Sequence, residues 1–218
     1  MLIYRERRPA GEPEGMLILH HGRGTDEHDL LAIGELLDPE RRLHIVTPRA
    51  PLQLAGSPGY HWYLVPRVGY PDRASFDSAR AQLGSLHDEL AELTAVPPAR
   101  TLLGGFSMGA VMSYALGLDG ERPVMAGLLA FSGFIPQAEG FAPDLTGRGD
   151  TRVFVAHGDR DAVIDVEFGR SAVATLRGGG IEVEYHESSV GHRIDPAHLP
   201  PARAWIGATL FGEGSAGP

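Results

Sequence analysis

Residues 100–109 read RTLLGGFSMG, and this stretch limits the fold more tightly than any other in the chain. An apolar run, Leu102-Leu103, passes through paired glycines to a serine, and a helix-compatible run, Ala110-Val111-Met112, follows at once. Gly105, Ser107 and Gly109 form the spacing G-x-S-x-G. Where a strand turns sharply into a helix, a serine at the turn has its Oγ pushed out at the carboxyl end of the sheet. A Cβ on either flanking glycine would collide with neighbouring backbone. The serine backbone is itself held in an unusual conformation, a form of strain that clusters at functional sites. With 29 glycines in the chain, the same spacing also fits an ordinary glycine-rich turn. The remaining parts of a site must therefore come from elsewhere in the sequence.

Strand and helix patterns alternate around this turn. Residues 2–8 read as a short edge strand that Pro9 and its charges limit, and 16–21 (MLILHH) as a central strand covered on both faces. A helix is expected from about Asp26 to Asp38, with Leu30, Leu31, Ile33, Leu36 and Leu37 on its apolar face and Asp26, Glu27 and Asp29 in its first turn. A strand over 43–46 leads into an irregular stretch, 49–70. A long helix over 72–93 follows, with Phe76, Ala79, Leu83, Leu86, Leu90 and Leu93 on one stripe. Beyond the serine turn come strands over 124–131, 152–157 and 181–186, a helix over 166–176 stopped by three glycines, and a last helix after Pro200-Pro201. This order predicts an α/β protein with a mostly parallel sheet of about seven strands and helices on both faces. One domain over 1–211 and a frayed tail over 212–218 are expected.

Composition removes whole classes of function. At 218 residues the chain can bury a full core without disulfides, and it has no cysteine for thiolate metal sites or thiol nucleophiles. A formal net charge of −9 argues against non-specific nucleic-acid binding. Neither a signal peptide nor a membrane-spanning run is recognisable, so a cytoplasmic location without integral membrane association is expected. Ten histidines are present, yet no H-E-x-x-H or similar spacing, so neither a metal nor any other cofactor is expected. His20 and His21 read as packing or bracing residues at a strand end.

A serine hydroxyl is a weak nucleophile that needs a positioned base, and the base needs an acid to orient it. On a doubly wound sheet these arrive in the order serine, acid, histidine, each after a strand. Asp161 closes HGDRD after one strand, and His192 sits in VGH after the next. Asp159 and Asp165 are alternatives for the acid, and His157 and His186 for the base. Gly22-Arg23-Gly24 follows the first central strand and opens a helix, so its N–H groups can face a developing oxyanion.

Taken together, HHGRGTDEHDLL, TPRAPL with HWY, GGFSMGA, FSG, HGDRDAVI and GH resemble the carboxylesterase/phospholipase family of α/β-hydrolases, which includes small bacterial carboxylesterases and acyl-protein thioesterases. The likeness spans roughly residues 16 to 210. It implies an α/β-hydrolase fold, Ser107 as nucleophile, Asp161 as acid and His192 as base, with the backbone N–H groups of Arg23 and Met108 forming an oxyanion hole. Met108 stands where many members have glutamine, which a main-chain role tolerates. The segment His61-Trp62-Tyr63 differs from the family pattern, so acyl-chain preference does not transfer.

Trp62, Tyr63 and Leu64 are expected on one wall of a substrate pocket and Phe134 and Ile135 on the other, against the plainer reading of long loops over the core. The 134–150 insertion is too short for a large lid. The expected activity is hydrolysis of carboxylic esters of short to medium acyl chains through an acyl-enzyme. Acyl thioesters or lysophospholipids are the alternative substrates, and a non-catalytic binder is the alternative from another class. The expected partner is a small-molecule ester, not a nucleic acid, and a homodimer stays open.

Overall fold

The computed structural model describes residues 2–212. A seven-stranded sheet runs in the order β1-β3-β2-β6-β7-β8-β9, where β1 is Tyr4–Arg7, β2 Gly15–His20, β3 Leu43–Pro48, β6 Thr101–Phe106, β7 Gly127–Phe131, β8 Arg152–Gly158 and β9 Glu182–Ser188. Only β1 is antiparallel, paired to β3 at the edge; the other pairings are parallel. Among the described residues the five α-helices are α1 (Leu31–Leu37), α2 (Arg73–Thr94), α3 (Met108–Gly117), α4 (Val166–Gly178) and α5 (Leu199–Phe211). None of them is long and apolar enough to cross a membrane.

The continuous apolar runs have the physical origin expected of them. Along β2, Met16 and Ile18 enter one core layer while Leu17 and Leu19 enter the other. On β8, Val153 and Val155 likewise oppose Phe154 and Ala156. Side chains alternate across a strand, so a sheet covered on both faces needs apolar residues at every position. One layer is closed by α2, α3 and α4, the other by α1 and α5. The chain leaves β2 for β3 on one side, and the later strands grow from β6 on the other. That reversal opens a crevice at the carboxyl ends of β2 and β6, the usual place for a ligand on such a sheet.

Several expectations need correction. The helix expected from Asp26 is regular only over Leu31–Leu37, because the residues at its start are committed to other local and tertiary bonds. Thr25 bridges Tyr60, the Asp26 carboxylate takes the His28 N–H, and the Glu27 carboxylate is turned to Arg49. The three acids therefore do not serve as the first turn of a helix. Leu36 and Leu93, placed on apolar faces by periodicity, are 58% and 69% exposed. The stretch 49–70 contains a small antiparallel ribbon, β4 (Leu52–Gln53) with β5 (Tyr60–His61). Residues 134–150 contain no helix or strand. The tail expected at the C terminus lies, from residue 213, outside the described residues.

Asp38 shows how the edge is tied in. One carboxylate oxygen accepts the Arg42 N–H at 3.0 Å; the other accepts the Leu43 N–H at 2.9 Å and the Arg7 guanidinium. Arg7 also donates to the Asp38 carbonyl at 2.9 Å. Both side chains are nearly buried. Truncating one partner of such a pair strands the other charge, at a cost of about 3–5 kcal/mol. Asp38→Ala is expected to lower stability by that amount. The check is the urea midpoint, with an unchanged m-value as the sign that the native fold persists.

Candidate active site

Ser107 stands between β6 and α3 with φ 55° and ψ −121°. The turn exists because two glycines let three backbone segments touch. A Cβ on Gly105 would lie 2.5 Å from the carbonyl carbon of Gly109 and 2.6 Å from the His20 oxygen, and one on Gly109 would sit inside the His20 carbonyl. The Ser107 N–H is held by the Phe131 carbonyl at 2.9 Å. The backbone is thus fixed on both sides, and the hydroxyl projects into the crevice.

The structure brings the three residues from distant loops together. His192 Nε2 is 2.8 Å from Ser107 Oγ, and His192 Nδ1 is 2.7 Å from Asp161 Oδ2. The other oxygen of Asp161 accepts the N–H groups of Val163 and Ile164 at 2.9 and 2.8 Å. Burial works to raise the Asp161 pKa, but the hydrogen bonds from His192, Ile164 and Val163 outweigh it and hold the carboxyl below its ordinary value. A carboxylate on Nδ1 leaves Nε2 as the acceptor facing the serine.

The alternative residues are placed elsewhere. The His157 ring is buried and donates from Nε2 to the Ile164 carbonyl at 2.8 Å, which steadies the turn that carries Asp161. His186 stacks on Phe154 and contacts Glu184. Asp159 accepts from the Ser189 hydroxyl, and Asp165 caps α4.

Arg23 and Met108 both line the cavity above Ser107. Met108 is the first residue of α3, where a helix leaves its N–H groups without internal partners. Among the described residues the Arg23 N–H also has no acceptor. The loop bearing Arg23 is braced from beneath. His21 Nε2 accepts the Ala50 N–H at 3.0 Å, so its Nδ1 carries the proton and donates to the Gly22 carbonyl at 2.7 Å. Burial pushes the His21 pKa down, in keeping with a neutral ring. Gly24 N–H and Thr25 carbonyl pair with Tyr60 at 2.8 Å each. Behind them Glu27, inaccessible to solvent, holds Arg49 through both oxygens at 2.6 Å.

A cavity of about 700 Å³ surrounds Ser107. Of the residues expected on a pocket wall, Tyr63 and Phe134 line this cavity, and Trp62, Leu64 and Ile135 do not. Trp62 is wholly buried, and its indole N–H donates to the His21 carbonyl at 2.9 Å, so it braces the loop beneath the site. Leu64 points to solvent at 52% exposure, while Ile135 packs on the core. Sequence reading missed Leu30, Ile33, Phe106, Val163, Ile164 and Ile194. Four of these lie within three residues of Ser107, Asp161 or His192, so adjacency to a candidate residue was the usable signal. As for cations, one trio among the described residues, Asp26, Glu27 and His28, has donor atoms close together. Its Glu27 oxygens are already taken by Arg49.

A parallel sheet of this order with a strained serine at a strand-to-helix turn is the α/β-hydrolase fold. The phospholipase/carboxylesterase family model matches residues 7–210, and the chain belongs to that family of hydrolases. Lysophospholipase-like protein 1 of Mus musculus is 28% identical over 219 residues, covering 94% of this chain and 91% of its own. Acyl-protein thioesterase 1 homolog 1 of Dictyostelium discoideum is 25% identical, with 89% and 90% covered. Among solved structures, esterase PE8 is 30% identical with a TM-score of 0.79, covering 94% of this chain and 97% of its own. The Bacillus cereus carboxylesterase shares the fold at 20% identity and a TM-score of 0.84, with 96% and 95% covered.

The Glu27–Arg49 pair gives the site a testable acid limit. The hydrogen bonds from Arg49 lower the Glu27 pKa from 4.5 to about 2. A depressed carboxyl contributes stability that is complete above its unfolded pKa and is lost as pH falls through the folded one. The loss should fall between pH 4.5 and 2 and amount to roughly 3 kcal/mol at most. Unfolding free energies of the parent and Glu27→Gln, measured across this window, are expected to converge toward pH 2. Parallel curves would show that the pair contributes no such term.

Proposed function

We propose that the protein hydrolyses carboxylic esters of short to medium acyl chains through an acyl-enzyme, with Ser107 as nucleophile, His192 as base and Asp161 as its orienting acid. The observation that carries this reading is the continuous hydrogen-bonded line Ser107–His192–Asp161 at the floor of an apolar cavity. As Ser107 Oγ bonds to the acyl carbon, His192 Nε2 takes the hydroxyl proton and the carbonyl electrons move onto oxygen. The N–H groups of Arg23 and Met108 stabilise that oxyanion; one such donor is typically worth about 10²–10³ in rate. When the tetrahedral adduct collapses, the C–O bond to the alcohol breaks and His192 returns the proton to the departing oxygen. A water molecule then repeats the sequence: His192 removes its proton, and the acid is released as Ser107 recovers its hydrogen.

The same steps serve a thioester or a lysophospholipid. The names of the Mus musculus and Dictyostelium discoideum relatives favour keeping that second reading. A panel of 4-nitrophenyl esters of rising acyl length, run beside a palmitoyl thioester and a lysophospholipid, separates the two. The first reading expects the highest kcat/KM on short to medium nitrophenyl esters.

Ser107→Ala is expected to lower kcat at least ~10⁴-fold, and Asp161→Asn about 10⁴-fold by presenting the wrong imidazole tautomer. Both should keep the parent's circular dichroism. Turnover that survives in pure Ser107→Ala would sink the assignment, as would failure of a serine-directed fluorophosphonate to label the parent at residue 107.

A further inference from the structure

All nineteen cationic side chains of this chain are arginines; it contains no lysine. Among the described residues, every arginine but two has a hydrogen bond, an ion pair or an aromatic ring for its guanidinium. The two without any are Arg23 and Arg193, both lining the cavity over Ser107; the Asp195 carboxylate, which accepts the Ala197 N–H, acts on Arg193 only from beyond ion-pair distance. Arg23 follows the first glycine of the anion-facing loop, and Arg193 directly follows His192. In a chain with 28 acidic residues, surface guanidiniums readily find carboxylates. Two left without a hydrogen bond or ion pair on the lining of one cavity are placed to meet an anion from outside the protein.

The cavity is asymmetric in the same sense. Tyr63, Phe134 and Ile164 belong to the core layer under α2, α3 and α4 and form an uncharged wall; Val65, Val68 and Val163 also line the cavity. Leu30, Ile33, Phe106 and Ile194 belong to the opposite layer. The loops that carry this second wall also carry Arg23, Arg193 and Asp29. The Asp29 carboxylate accepts the Thr25 hydroxyl at 3.1 Å, so it has a partner within its own loop. Phe106 lies against His192, with ring centroids 4.8 Å apart, which puts the base on the charged side.

We infer that Arg193 and the Arg23 side chain select esters whose leaving group carries an anionic oxygen cluster, a carboxylate or a phosphate, while the uncharged wall holds the acyl chain. The inference rests on the serine-hydrolase reading above. The departing alcohol must stay within reach of His192 Nε2, which is next in the chain to Arg193. An anion on that alcohol therefore meets the unpartnered guanidiniums, whereas one on the acyl chain would be buried against valines and aromatic rings. The guanidinium fork suits carboxylate and phosphate alike.

The test compares 3-(butyryloxy)benzoate with its neutral counterpart 3-(butyryloxy)benzamide, and adds 3-(butyryloxy)phenyl phosphate to separate the two anion types. An aryl hemisuccinate, with its carboxylate on the acyl side, is the fourth substrate. The parent is expected to favour the benzoate over the benzamide by about tenfold in kcat/KM, with a smaller preference in 0.5 M NaCl, because exposed charges are screened. Arg193→Gln should reduce the ratio about fivefold, and Arg23→Gln should reduce it further, the benzamide serving as reference within each variant. A greater preference for the phosphate than for the benzoate would identify phosphate as the anion. A parent ratio of one or less, a ratio unchanged in Arg193→Gln, or a hemisuccinate preferred over the benzoate would overturn the inference. Hydrolysis of the benzamide that is lost in Ser107→Ala upholds the serine mechanism whatever the ratio. Hydrolysis of none of the four esters would overturn both.

Discussion

The contact on which the site depends is the approach of Gly109, at the start of α3, to the carbonyl of His20 at the end of β2. No side chain fits between them. This approach fixes how far α3 can descend onto the sheet and therefore where the serine turn ends. It also brings the loop after β2 beside the first N–H of α3. The contact is locked from the helix side: the Ser113 hydroxyl lies 3.1 Å from the Gly109 carbonyl and 2.9 Å from His20 Nδ1. His20 in turn stacks on His87 of α2. Burial drives the pKa of both rings down, that of His87 to about 3. The brace beneath the serine is therefore polar but uncharged, which avoids the cost of an isolated buried ion.

Around this contact the loop after β2 is held by elements that share no sequence neighbourhood with it. The ribbon strand β5 supplies the Tyr60 backbone, Trp62 supplies its indole, and Ala50 and Arg49 follow β3. Preorganised N–H groups are useful only if they need no rearrangement as charge develops. The irregular stretch 49–70 holds the N–H groups of this loop in place. Its aromatic residues read as pocket wall because their composition is apolar, yet Trp62 spends its surface on the back of the loop.

The cavity itself follows from a sheet covered on both faces. Both core layers reach the carboxyl ends of the strands, so the crevice at the strand reversal gains one wall from each. The second wall is the one that carries charge, since it is built from the loops after β2 and β9. The carboxyl ends of one sheet thus yield a cleft with unlike sides and the Ser107 hydroxyl between them.

The alternating order of strands and helices, the two-layer core and the glycine-flanked serine were all legible along the chain, because each is a local matter of side-chain period or backbone sterics. Asp161 and His192 could be named from their positions after β8 and β9, but proximity is not a property of sequence; only the sheet order brings residues 107, 161 and 192 within hydrogen-bond reach. Residues 26–30 do not extend α1 towards its N terminus, because helix propensity is weak next to a buried ion pair such as Glu27–Arg49, whose partner lies 22 residues away. Which arginines lack partners was likewise beyond the sequence. Ion pairing depends on what folding places nearby, and the tertiary structure alone left Arg23 and Arg193 facing an open cavity.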